Sequence, residues 1–358
     1  MKTNIYILAG GKSVEHDVSL ISATAICNAL DRDKYRVFRT YITNDGVWVD
    51  LGETNEKVED PSSWKRESSE EIGKSIGNFF ANYRYGEKGI VVLPLHGTFG
   101  EDGKIQGLFE TANIPYTGDG VLPSAVAMDK TVMKDIFKVY DIPQAKYLHF
   151  NSFDYSKGAD DIINRIEKEI PYPVFVKPSN GGSSVGASPA NNRDELLKSI
   201  ELALNFDSTA VVEELIVGRE IQFSVMGHHD PKCSIPGEFI MERPFFDYEA
   251  KYLEKKIIPV MPARMSEETM KKMQETAIKA YKALRCNSLA RVDFFIMDDE
   301  SFKVCEINTM PGFTQMSFTP KLWEPTDGTT YEGVVEKMIK LGFENFEEKS
   351  AIHRSRND

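Results

Sequence analysis

Three side chains that could bind a metal, Asp293, Glu306 and Asn308, lie together with Arg291 in two short segments of the chain, RVD and EIN. Because side chains alternate along a β-strand, Arg291 and Asp293 share one face, as do Glu306 and Asn308. The connection between the two segments is short and turn-like, so a hairpin would bring all four together. Hard oxygen ligands of this kind suit Mg²⁺, particularly beside nucleotide phosphates. A solvated polar face with salt bridges is the alternative.

A second candidate is a strand that delivers a lysine into a glycine- and serine-rich segment, VFVKPSNGGSSVG, from Val174 to Gly186. Glycines let backbone amides approach a phosphate, hydroxyls add donors and Lys177 supplies positive charge. A flexible loop is the alternative, but the apolar strand before the lysine favours a phosphate-binding lid. The turn at Pro311 and Gly312 would aim backbone N–H groups inward, as an oxyanion site requires. An ordinary turn is the alternative there.

The N-terminal segment offers a glycine turn between a strand and a helix. Its sequence GGKS matches the end of a P-loop, but the earlier glycine of that motif would fall at Tyr6, which excludes it. Glu15 would either cap the following helix or bind an ammonium group, and the local sequence favours capping. Glu213 and Glu220, which flank an apolar hinge, could accept hydrogen bonds from a base or ribose. These two glutamates and Lys130 are weak candidates, since solvated surface positions would explain them equally well.

An alternation of strands and helices must position these residues. Predicted strands span 4–9, 35–42, 47–49, 89–95, 146–150, 174–177, 210–214, 220–226, 289–297 and 302–307. Predicted helices span 18–30, 125–140, 160–169, 192–204 and 267–284, and the polar stretch 52–86 is mostly loops. The alternation favours a parallel α/β arrangement. A charged tail from about residue 344 is expected to fray.

Composition limits the classes of function. The chain has 358 residues, a formal net charge of −12, 41% hydrophobic residues and four cysteines. The length suggests two or three domains. The acidic balance argues against a protein that coats nucleic acid or an anionic membrane, because Lys and Arg lead such binding. No apolar run approaches the ~20 residues of a membrane span.

The termini and the cysteines bear on location. The N-terminal segment is too short and has the wrong flank for a signal peptide. The four cysteines are scattered, without a CxxC pair. That spacing disfavours a zinc site and a disulfide framework, and it fits a reducing compartment. The cytoplasm is therefore the predicted location.

Eight motifs in order carry a family resemblance: GGKSVEHDVSL, LHGTFGEDGKIQG, MDK, VKPSNGGSSVG, EELIVGRE, FFDYEAKY, RVDFF and EINTMPGFT. Together they resemble the D-alanine–D-alanine ligase family of the ATP-grasp superfamily, from Gly10 to about Tyr331. The resemblance implies an α/β fold with a Rossmann-like N-terminal domain followed by a two-domain ATP-grasp fold. The implied domains are 1–122, 123–209 and 210–345, followed by a charged tail, 346–358. The implied reaction is ATP-dependent ligation of two D-alanines through an acyl phosphate, for peptidoglycan precursor synthesis.

The same resemblance implies which residues bind ATP and metal. Lys130 and Lys177 would contact the phosphates, Glu213 the adenine and Glu220 the ribose. The full nucleotide-binding set is Lys130, Lys177, Ser184, Glu213, Leu215, Ile216, Glu220 and Lys251. Two Mg²⁺ ions, with Mn²⁺ as an alternative metal, would be held by Asp293, Glu306 and Asn308.

The resemblance also implies a substrate-binding set and a catalytic set. The first is Glu15, His96, Ser317 and Phe318, and the second is Glu15, Ser183, Tyr252, Arg291, Gly312 and Ser317. Glu15 would hold the ammonium group of the first D-alanine, which replaces the capping interpretation. Arg291 and the Gly312 amide would bind the tetrahedral oxygen. Ser317 would bind the carboxylate of the second D-alanine.

Alternative functions stay open. D-Alanine–D-serine and D-alanine–D-lactate ligases differ mainly at the second subsite, where Phe318 departs from the smaller aliphatic residue common in the family. Tyr252, which would hydrogen-bond with Glu15 and Ser183 in the closed state, indicates a D-alanine enzyme. A nucleotide-binding regulator without catalysis is the alternative from another class, and the intact tetrad around Arg291 argues against it. A homodimer is expected, with no nucleic-acid or membrane partner.

Overall fold

The computed structural model describes residues 2–240 and 258–352, whose strands form three separate sheets with helices packed against them. The predicted α/β class is confirmed, but the parallel arrangement that the alternation favours is wrong for most of the chain. Of the strands described, only three of the N-terminal sheet are parallel, and the pairings within the other two sheets are antiparallel. Four groups of buried apolar side chains form the cores. Among the residues described, every helix is too short or too polar to cross a bilayer.

The first sheet is built from the N-terminal third of the chain. Its strands are β1 (Thr3–Gly10), β2 (Tyr35–Ile42), β3 (Trp48–Thr54) and β4 (Gly89–Val92), in the order β3-β2-β1-β4. Strand β1 is parallel to β2 and β4, and β3 is antiparallel to β2. The helices of this region are α1 (His16–Ala29), α2 (Ile72–Asn82) and α3 (Lys104–Thr111). The residues just after β1 and β4 lie at the carboxyl edge of the sheet, where α/β proteins bind ligands.

One predicted helix is two helices in the structure. The pattern over 125–140 predicts a single helix, but α4 (Val121–Met128) and α5 (Lys130–Val139) are separate, so that prediction is wrong. Asp129 between them is extended, and its carboxylate accepts hydrogen bonds from two backbone N–H groups at the start of α5. Such capping competes with helix propagation. The same carboxylate accepts a hydrogen bond from the Ser179 hydroxyl at 2.6 Å, which fixes where α5 begins.

The second sheet holds the central part of the chain. Its strands are β5 (Tyr147–Asn151), β6 (Val174–Pro178), β7 (Ser188–Ala190) and β8 (Thr209–Glu214), in the antiparallel order β5-β8-β6-β7. Helices α6 (Ser152–Glu169), kinked at Gly158, and α7 (Arg193–Leu204) pack against it. The Gly/Ser loop, Ser179–Gly186, runs between β6 and β7. Because β8 spans the predicted domain boundary at residue 210, we propose that the central domain extends to Glu214.

The third sheet carries the predicted metal-binding hairpin. Its strands are β9 (Arg219–Met226), β10 (Lys232–Cys233), β11 (Gly237–Ile240), β12 (Ile258–Val260), β13 (Leu289–Ile296) and β14 (Phe302–Asn308). The order is β12-β11-β9-β13-β14, with β10 beside β9, and α8 (Glu267–Ala283) packs on the sheet. The predicted hairpin is confirmed, since β13 and β14 are antiparallel with Arg291 opposite Asn308 and Asp293 opposite Glu306.

Three helices follow β14, namely α9 (Phe318–Lys321), α10 (Trp323–Asp327) and α11 (Tyr331–Ser350). The prediction of a frayed tail from about residue 344 is wrong, because α11 continues through Ser350. Its last turns have partners elsewhere in the chain. The Asn345 amide donates a hydrogen bond to the Asn287 carbonyl at 3.0 Å, and Lys349 forms an ion pair with a glutamate of α3.

A buried carboxylate joins the N-terminal region to the start of β13. Asp119 is 1% exposed, and its Oδ1 accepts hydrogen bonds from the backbone N–H groups of Asn287 and Ser288 at 2.5 and 2.9 Å. Burial raises the pKa of Asp119 to about 7. Because this pKa lies above the unfolded value of about 3.9, folding takes up a proton at this carboxyl, and the contribution of Asp119 to stability falls as the pH rises from about 4 to 7.

The D119N variant should therefore stabilise the protein more at high pH than at low pH. The amide keeps an acceptor oxygen for the two N–H groups but removes the charge. We expect the gain in the free energy of unfolding to be on the order of 2 kcal/mol larger at pH 8 than at pH 5. Urea unfolding of both proteins at both pH values measures it, and equal gains would contradict the assigned cause.

Candidate active site

A cavity of about 570 Å³ lies among segments that come from all three sheets. Ten residues singled out from the sequence line it: Glu15, His96, Lys130, Ser183, Arg291, Glu306, Asn308, Gly312, Ser317 and Phe318. The first and last of these are about 300 positions apart in the chain, so only the tertiary fold brings them together. Asp293 lies directly behind this lining, paired with Arg291.

The β13–β14 hairpin presents a rigid guanidinium to the cavity. Arg291 donates hydrogen bonds from Nε and Nη2 to the two carboxylate oxygens of Asp293, each at 2.8 Å. Asn308 donates to the same carboxylate at 3.1 Å. Burial opposes the charge on Arg291, but Asp293 and Glu306 outweigh it and raise its pKa. Because a guanidinium has five N–H donors, the fork to Asp293 orients Arg291 and leaves donors for another partner.

The same hairpin has the donor set that Mg²⁺ prefers. The carboxylates of Asp293 and Glu306 come from directly opposite positions, and the Asn308 amide stands opposite Arg291 at the next position on that face. Oxygen ligands of this kind suit a hard divalent ion, especially when substrate phosphates complete the shell. A carboxylate has about four lone-pair positions, so Asp293 can keep its contact with Arg291 and still coordinate a metal. The residues present therefore fit Mg²⁺.

Glu15 does not cap the helix it precedes. It occupies the position before α1 but accepts no capping hydrogen bond there, so the local preference for capping is wrong. Instead, the Ser183 hydroxyl of the Gly/Ser loop donates to Glu15 at 2.7 Å. Gly97, with a φ of +74°, lies on the other side, where an added Cβ would stand 2.6 Å from a Glu15 carboxylate oxygen. Glu15 is thus held between the segment after β4 and the Gly/Ser loop.

His96 is a neutral, fixed ring. Its Nδ1 lies 2.9 Å from the Met310 carbonyl and its Nε2 lies 2.8 Å from the Ser22 hydroxyl. A carbonyl only accepts, so Nδ1 carries the proton and Nε2 accepts from Ser22. Burial lowers the pKa of His96. The ring therefore connects α1 with the segment after β14 and adds no positive charge to the cavity.

The segment after β14 is shaped by a close contact. The Ser317 hydroxyl accepts a hydrogen bond from the Thr314 N–H at 3.0 Å. A Cβ at Gly312 would stand 2.9 Å from that hydroxyl oxygen, so glycine keeps the two backbone segments together. Phe318 is 2% exposed and stacks on Phe239 with ring centroids 4.0 Å apart. This side of the cavity therefore combines a tightly packed, hydroxyl-bearing turn with a buried aromatic pair.

Lys130 connects the Gly/Ser loop with the hairpin. Its Nζ donates to the Gly181 carbonyl at 2.6 Å and lies 3.8 Å from a carboxylate oxygen of Glu306. The lysine begins α5, so the capping residue Asp129 that splits the predicted helix also sets where this ammonium group stands.

Behind the cavity lies a buried trio of Lys134, Lys177 and Glu213. Both ammonium groups contact one Glu213 oxygen, at 3.0 Å from Lys134 and 2.9 Å from Lys177. Burial favours neutral Glu213, but the two lysines outweigh it and lower its pKa. Burial also opposes the charge on Lys177, yet Glu213 raises its pKa, whereas for Lys134 burial prevails and lowers it. In the described chain, Glu213 and Lys177 adjoin the cavity without lining it.

The remaining nucleotide candidates stand apart from the lining. Ser184 is exposed in the Gly/Ser loop, and it follows Ser183 in the left-handed region, with φ values of +58° and +51°. Leu215, Ile216 and Glu220 lie half-buried at the connection from β8 to β9 and at the start of β9. Lys251 and Tyr252 lie outside the described residues.

The residues Glu101 and Lys134 are two charged groups near the cavity that were not predicted from the sequence. Glu101 lines the cavity and accepts a hydrogen bond from the Gly97 N–H at 3.2 Å. Burial, with the nearby Glu15, raises its pKa well above the usual range. Lys134 follows Lys130 by four residues on one helix, a spacing that puts both on one face and could have revealed it. No comparable local signal distinguishes Glu101.

Two family models match most of the chain. The model described as D-ala D-ala ligase N-terminus matches residues 4–119, and the one described as D-ala D-ala ligase C-terminus matches residues 136–340. The chain belongs to the D-alanine–D-alanine ligase family. Members of this family are ATP-dependent ligases with an ATP-grasp fold, so the predicted family, enzyme class and fold class are confirmed.

Named members of the D-alanine–D-alanine ligase family resemble the chain over nearly its whole length. The D-alanine–D-alanine ligase of Staphylococcus carnosus is 43% identical, with 97% of each chain covered. That of Geobacillus thermodenitrificans is 42% identical, with 98% of each covered.

Solved structures of two ligases are similar in fold to this chain over nearly its whole length. The D-alanine–D-alanine ligase of Coxiella burnetii is 30% identical with a TM-score of 0.79, covering 98% of this chain and 96% of that one. The VanG D-Ala:D-Ser ligase of Enterococcus faecalis is 31% identical with a TM-score of 0.78, covering 96% of this chain and 100% of that one.

Proposed function

We propose that this enzyme joins two D-alanines to D-alanyl-D-alanine at the expense of ATP, supplying a peptidoglycan precursor that maintains cell shape. The observation that carries the proposal is one cavity lined by Glu15, Ser183, Arg291 and Glu306. A carboxylate for an ammonium group, a loop for phosphates and a guanidinium beside metal-binding oxygens are what this reaction requires. Membership of the ligase family supports the same conclusion.

In the first step, the carboxylate of one D-alanine attacks the γ-phosphorus of ATP, and ADP leaves. Glu15 holds the ammonium group of that D-alanine, with His96 beside it. Lys130 and Lys177 offset the repulsion between the two anions. Mg²⁺ at Asp293, Glu306 and Asn308, as two ions or replaced by Mn²⁺, supplies charge neutralisation of the phosphates when bound.

In the second step, the amine of the other D-alanine attacks the acyl phosphate carbonyl. The resulting tetrahedral oxygen accepts hydrogen bonds from Arg291 and the Gly312 amide. Phosphate then leaves, and the amine gives up a proton. Ser317 holds the carboxylate of this D-alanine, with the Phe318 ring beside it.

The other predicted residues would bind the adenine and ribose of ATP or help to close the active site. Glu213 would face the adenine, with Leu215 and Ile216 completing the base site, and Glu220 would accept from the ribose. Ser184 and Lys251 would contact ATP from two lid loops. Tyr252 would add to the Glu15–Ser183 contact when the site closes, because an acyl phosphate open to water would hydrolyse.

The first test is substrate dependence. We expect phosphate release only when ATP, Mg²⁺ and D-alanine are all present, with D-alanyl-D-alanine as the product. Reactions that contain D-alanine with D-serine or D-lactate, analysed across pH, distinguish the ligase alternatives. An amine must lose its proton to attack, whereas the lactate hydroxyl does not titrate in this range. Phosphate release with another acid but none with D-alanine would contradict the assignment.

A D-alanine–D-serine specificity is the second candidate, because one solved neighbour at 31% identity bears that name. The buried Phe318 ring favours D-alanine, since it offers no polar partner to a serine hydroxyl. A regulator without catalysis is a weaker alternative, because a pure binder would not need the complete Arg291, Asp293, Glu306 and Asn308 set. Any turnover in the first test would exclude it.

The E306Q variant tests the metal assignment. Glutamine keeps the shape but loses the negative charge that attracts the ion. We expect the Mg²⁺ concentration needed for half-maximal activity to rise about 10–100-fold. The E214Q variant, on a neighbouring surface ion pair with Lys303, is the control and should keep the wild-type requirement. An unchanged Mg²⁺ requirement in E306Q would remove Glu306 from the metal site.

We further propose that the enzyme works in the cytoplasm as a homodimer. Its four cysteines are unpaired, which suits a reducing compartment. Light scattering of the purified protein would establish the oligomeric state.

A further inference from the structure

Away from the cavity, three metal-ligating side chains meet at the turn between β9 and β10. His228 and His229 lie in that turn, and Glu348 lies in the last turn of α11. His228 Nδ1 is 3.1 Å and His229 Nε2 is 3.3 Å from the same Glu348 oxygen. All three ligand atoms lie within 4.8 Å of one another. The three side chains thus converge on one small volume.

The spacing fits a single metal ion. Ligand atoms bound about 2.0–2.1 Å from a tetrahedral ion stand roughly 3.4 Å apart. The two nitrogen–oxygen distances at Glu348 are close to this value. Two imidazoles and a carboxylate are also a donor set that Zn²⁺ accepts, with solvent at the remaining position. Mg²⁺ prefers oxygen ligands alone, so this set differs from the one on the hairpin.

The fold holds the turn in place without help from a metal. The Gly227 N–H donates to the Ser288 carbonyl at 2.9 Å, and the Tyr281 hydroxyl donates to the Gly227 carbonyl at 2.7 Å. The rings of His228 and His229 lie 4.0 Å apart between centroids, and the His229 side chain, which is 78% exposed, can turn so that both in-plane lone pairs reach one ion while the backbone of the turn stays anchored. Such anchoring reduces the entropy lost on binding.

The closeness of the two rings disfavours placing two positive charges there. Two imidazolium charges with ring centroids 4.0 Å apart would repel each other. A neutral imidazole is the form that ligates metals. An ion pair with Glu348 requires only one charged histidine. It does not explain why a second imidazole nitrogen, from His229, lies 3.3 Å from the same Glu348 oxygen.

We propose that His228, His229 and Glu348 bind Zn²⁺ or a similar divalent transition metal, separately from Mg²⁺ at the active site. The ion would clamp the β9–β10 turn to the end of α11. That helix starts at Tyr331, whose hydroxyl donates to the Phe313 carbonyl beside Gly312 at 2.6 Å. The clamp would thus fix the far end of a helix that supports the active-site segment.

The test uses the full-length enzyme, stripped with chelator and then held in millimolar Mg²⁺ to occupy oxygen-ligand sites. Titration with Co²⁺ should show one ion with the visible absorption of a low-coordinate, nitrogen-ligated site, and Zn²⁺ should displace it. The H229Q and E348Q variants, both changed at exposed positions, should bind Co²⁺ at least about 10–100-fold more weakly. Zn²⁺ should raise the melting temperature of the wild type but not of these variants.

The matched control is H149Q. His149 is also exposed and lies 3.6 Å from a carboxylate, Asp135, but it has no second histidine beside it. This variant should bind Co²⁺ like the wild type, and circular dichroism should show all variants folded. Wild-type affinity in both H229Q and E348Q, or a spectrum of six oxygen ligands, would overturn the proposal. Equal loss in H149Q would also overturn it.

Discussion

The R291K variant is expected to lower kcat about 10²–10³-fold, the typical effect of losing one donor to a developing oxyanion. Lysine keeps the positive charge but cannot make the fork that Arg291 makes to Asp293 with two bonds of 2.8 Å. Without that fork the charge is no longer oriented toward the tetrahedral oxygen. Steady-state kinetics with saturating ATP and D-alanine would measure the change.

A second arginine provides the control. Arg36 makes the same type of fork to Glu53, with bonds of 2.9 and 2.6 Å, on β2 and β3 of the N-terminal sheet. The R36K variant loses the same geometry far from the proposed chemistry and should keep wild-type turnover. If R291K retained kcat within about threefold of the wild type, Arg291 would be a structural residue only.

The second large effect concerns stability. The E213Q variant removes the only negative charge of the buried trio and leaves Lys134, 1% exposed, and Lys177, 8% exposed, facing each other. Breaking a buried ion pair by removing one partner costs about 3–5 kcal/mol, because it leaves an uncompensated buried charge. We therefore expect the domain that contains β8 to unfold at a lower urea concentration. Hydrogen exchange of the backbone amides in β6 and β8 would measure this shift.

The neighbouring residue is the matched control. Glu214 pairs with Lys303, but both side chains are more than a quarter exposed, so solvent compensates for the lost partner. The E214Q variant should therefore cost no more than about 1 kcal/mol. A further variant, E213Q with K134M, removes one of the two facing lysines and should recover part of the loss. Equal destabilisation by E213Q and E214Q would show that burial of the trio does not matter.

The sequence predicts the hairpin well because its information is local. Strand alternation alone puts Arg291 beside Asp293, and the short connection requires antiparallel pairing. The position of the Gly/Ser loop directly after the strand that carries Lys177 is also predicted from local sequence. The helix over 125–140 fails because apolar spacing carries no sign that Asp129 would cap the following turn and accept from Ser179.

The partners of Glu15 and Glu213 could not be predicted in the same way. The local sequence allows Glu15 to cap the helix that follows it, whereas its actual partner, Ser183, lies 168 residues away. Glu213 reads as one acidic residue at a strand end, whereas its two lysines come from α5 and β6. The family resemblance predicts that Glu15 binds an ammonium group. Only the tertiary packing shows that Glu213 lies between the ammonium groups of two buried lysines.

The backbone of the Gly/Ser loop has a consequence for the timing of turnover. Ser183 and Ser184 both stand in the left-handed region, where a non-glycine residue costs about 1–3 kcal/mol. The hydrogen bond from Ser183 to Glu15 holds the loop in this unfavourable shape. The Lys130 hydrogen bond to the Gly181 carbonyl is a second contact that holds the same loop against the cavity. Once both contacts break, we expect relaxation of the Ser183 and Ser184 backbone to favour opening of the loop and so to help the product leave.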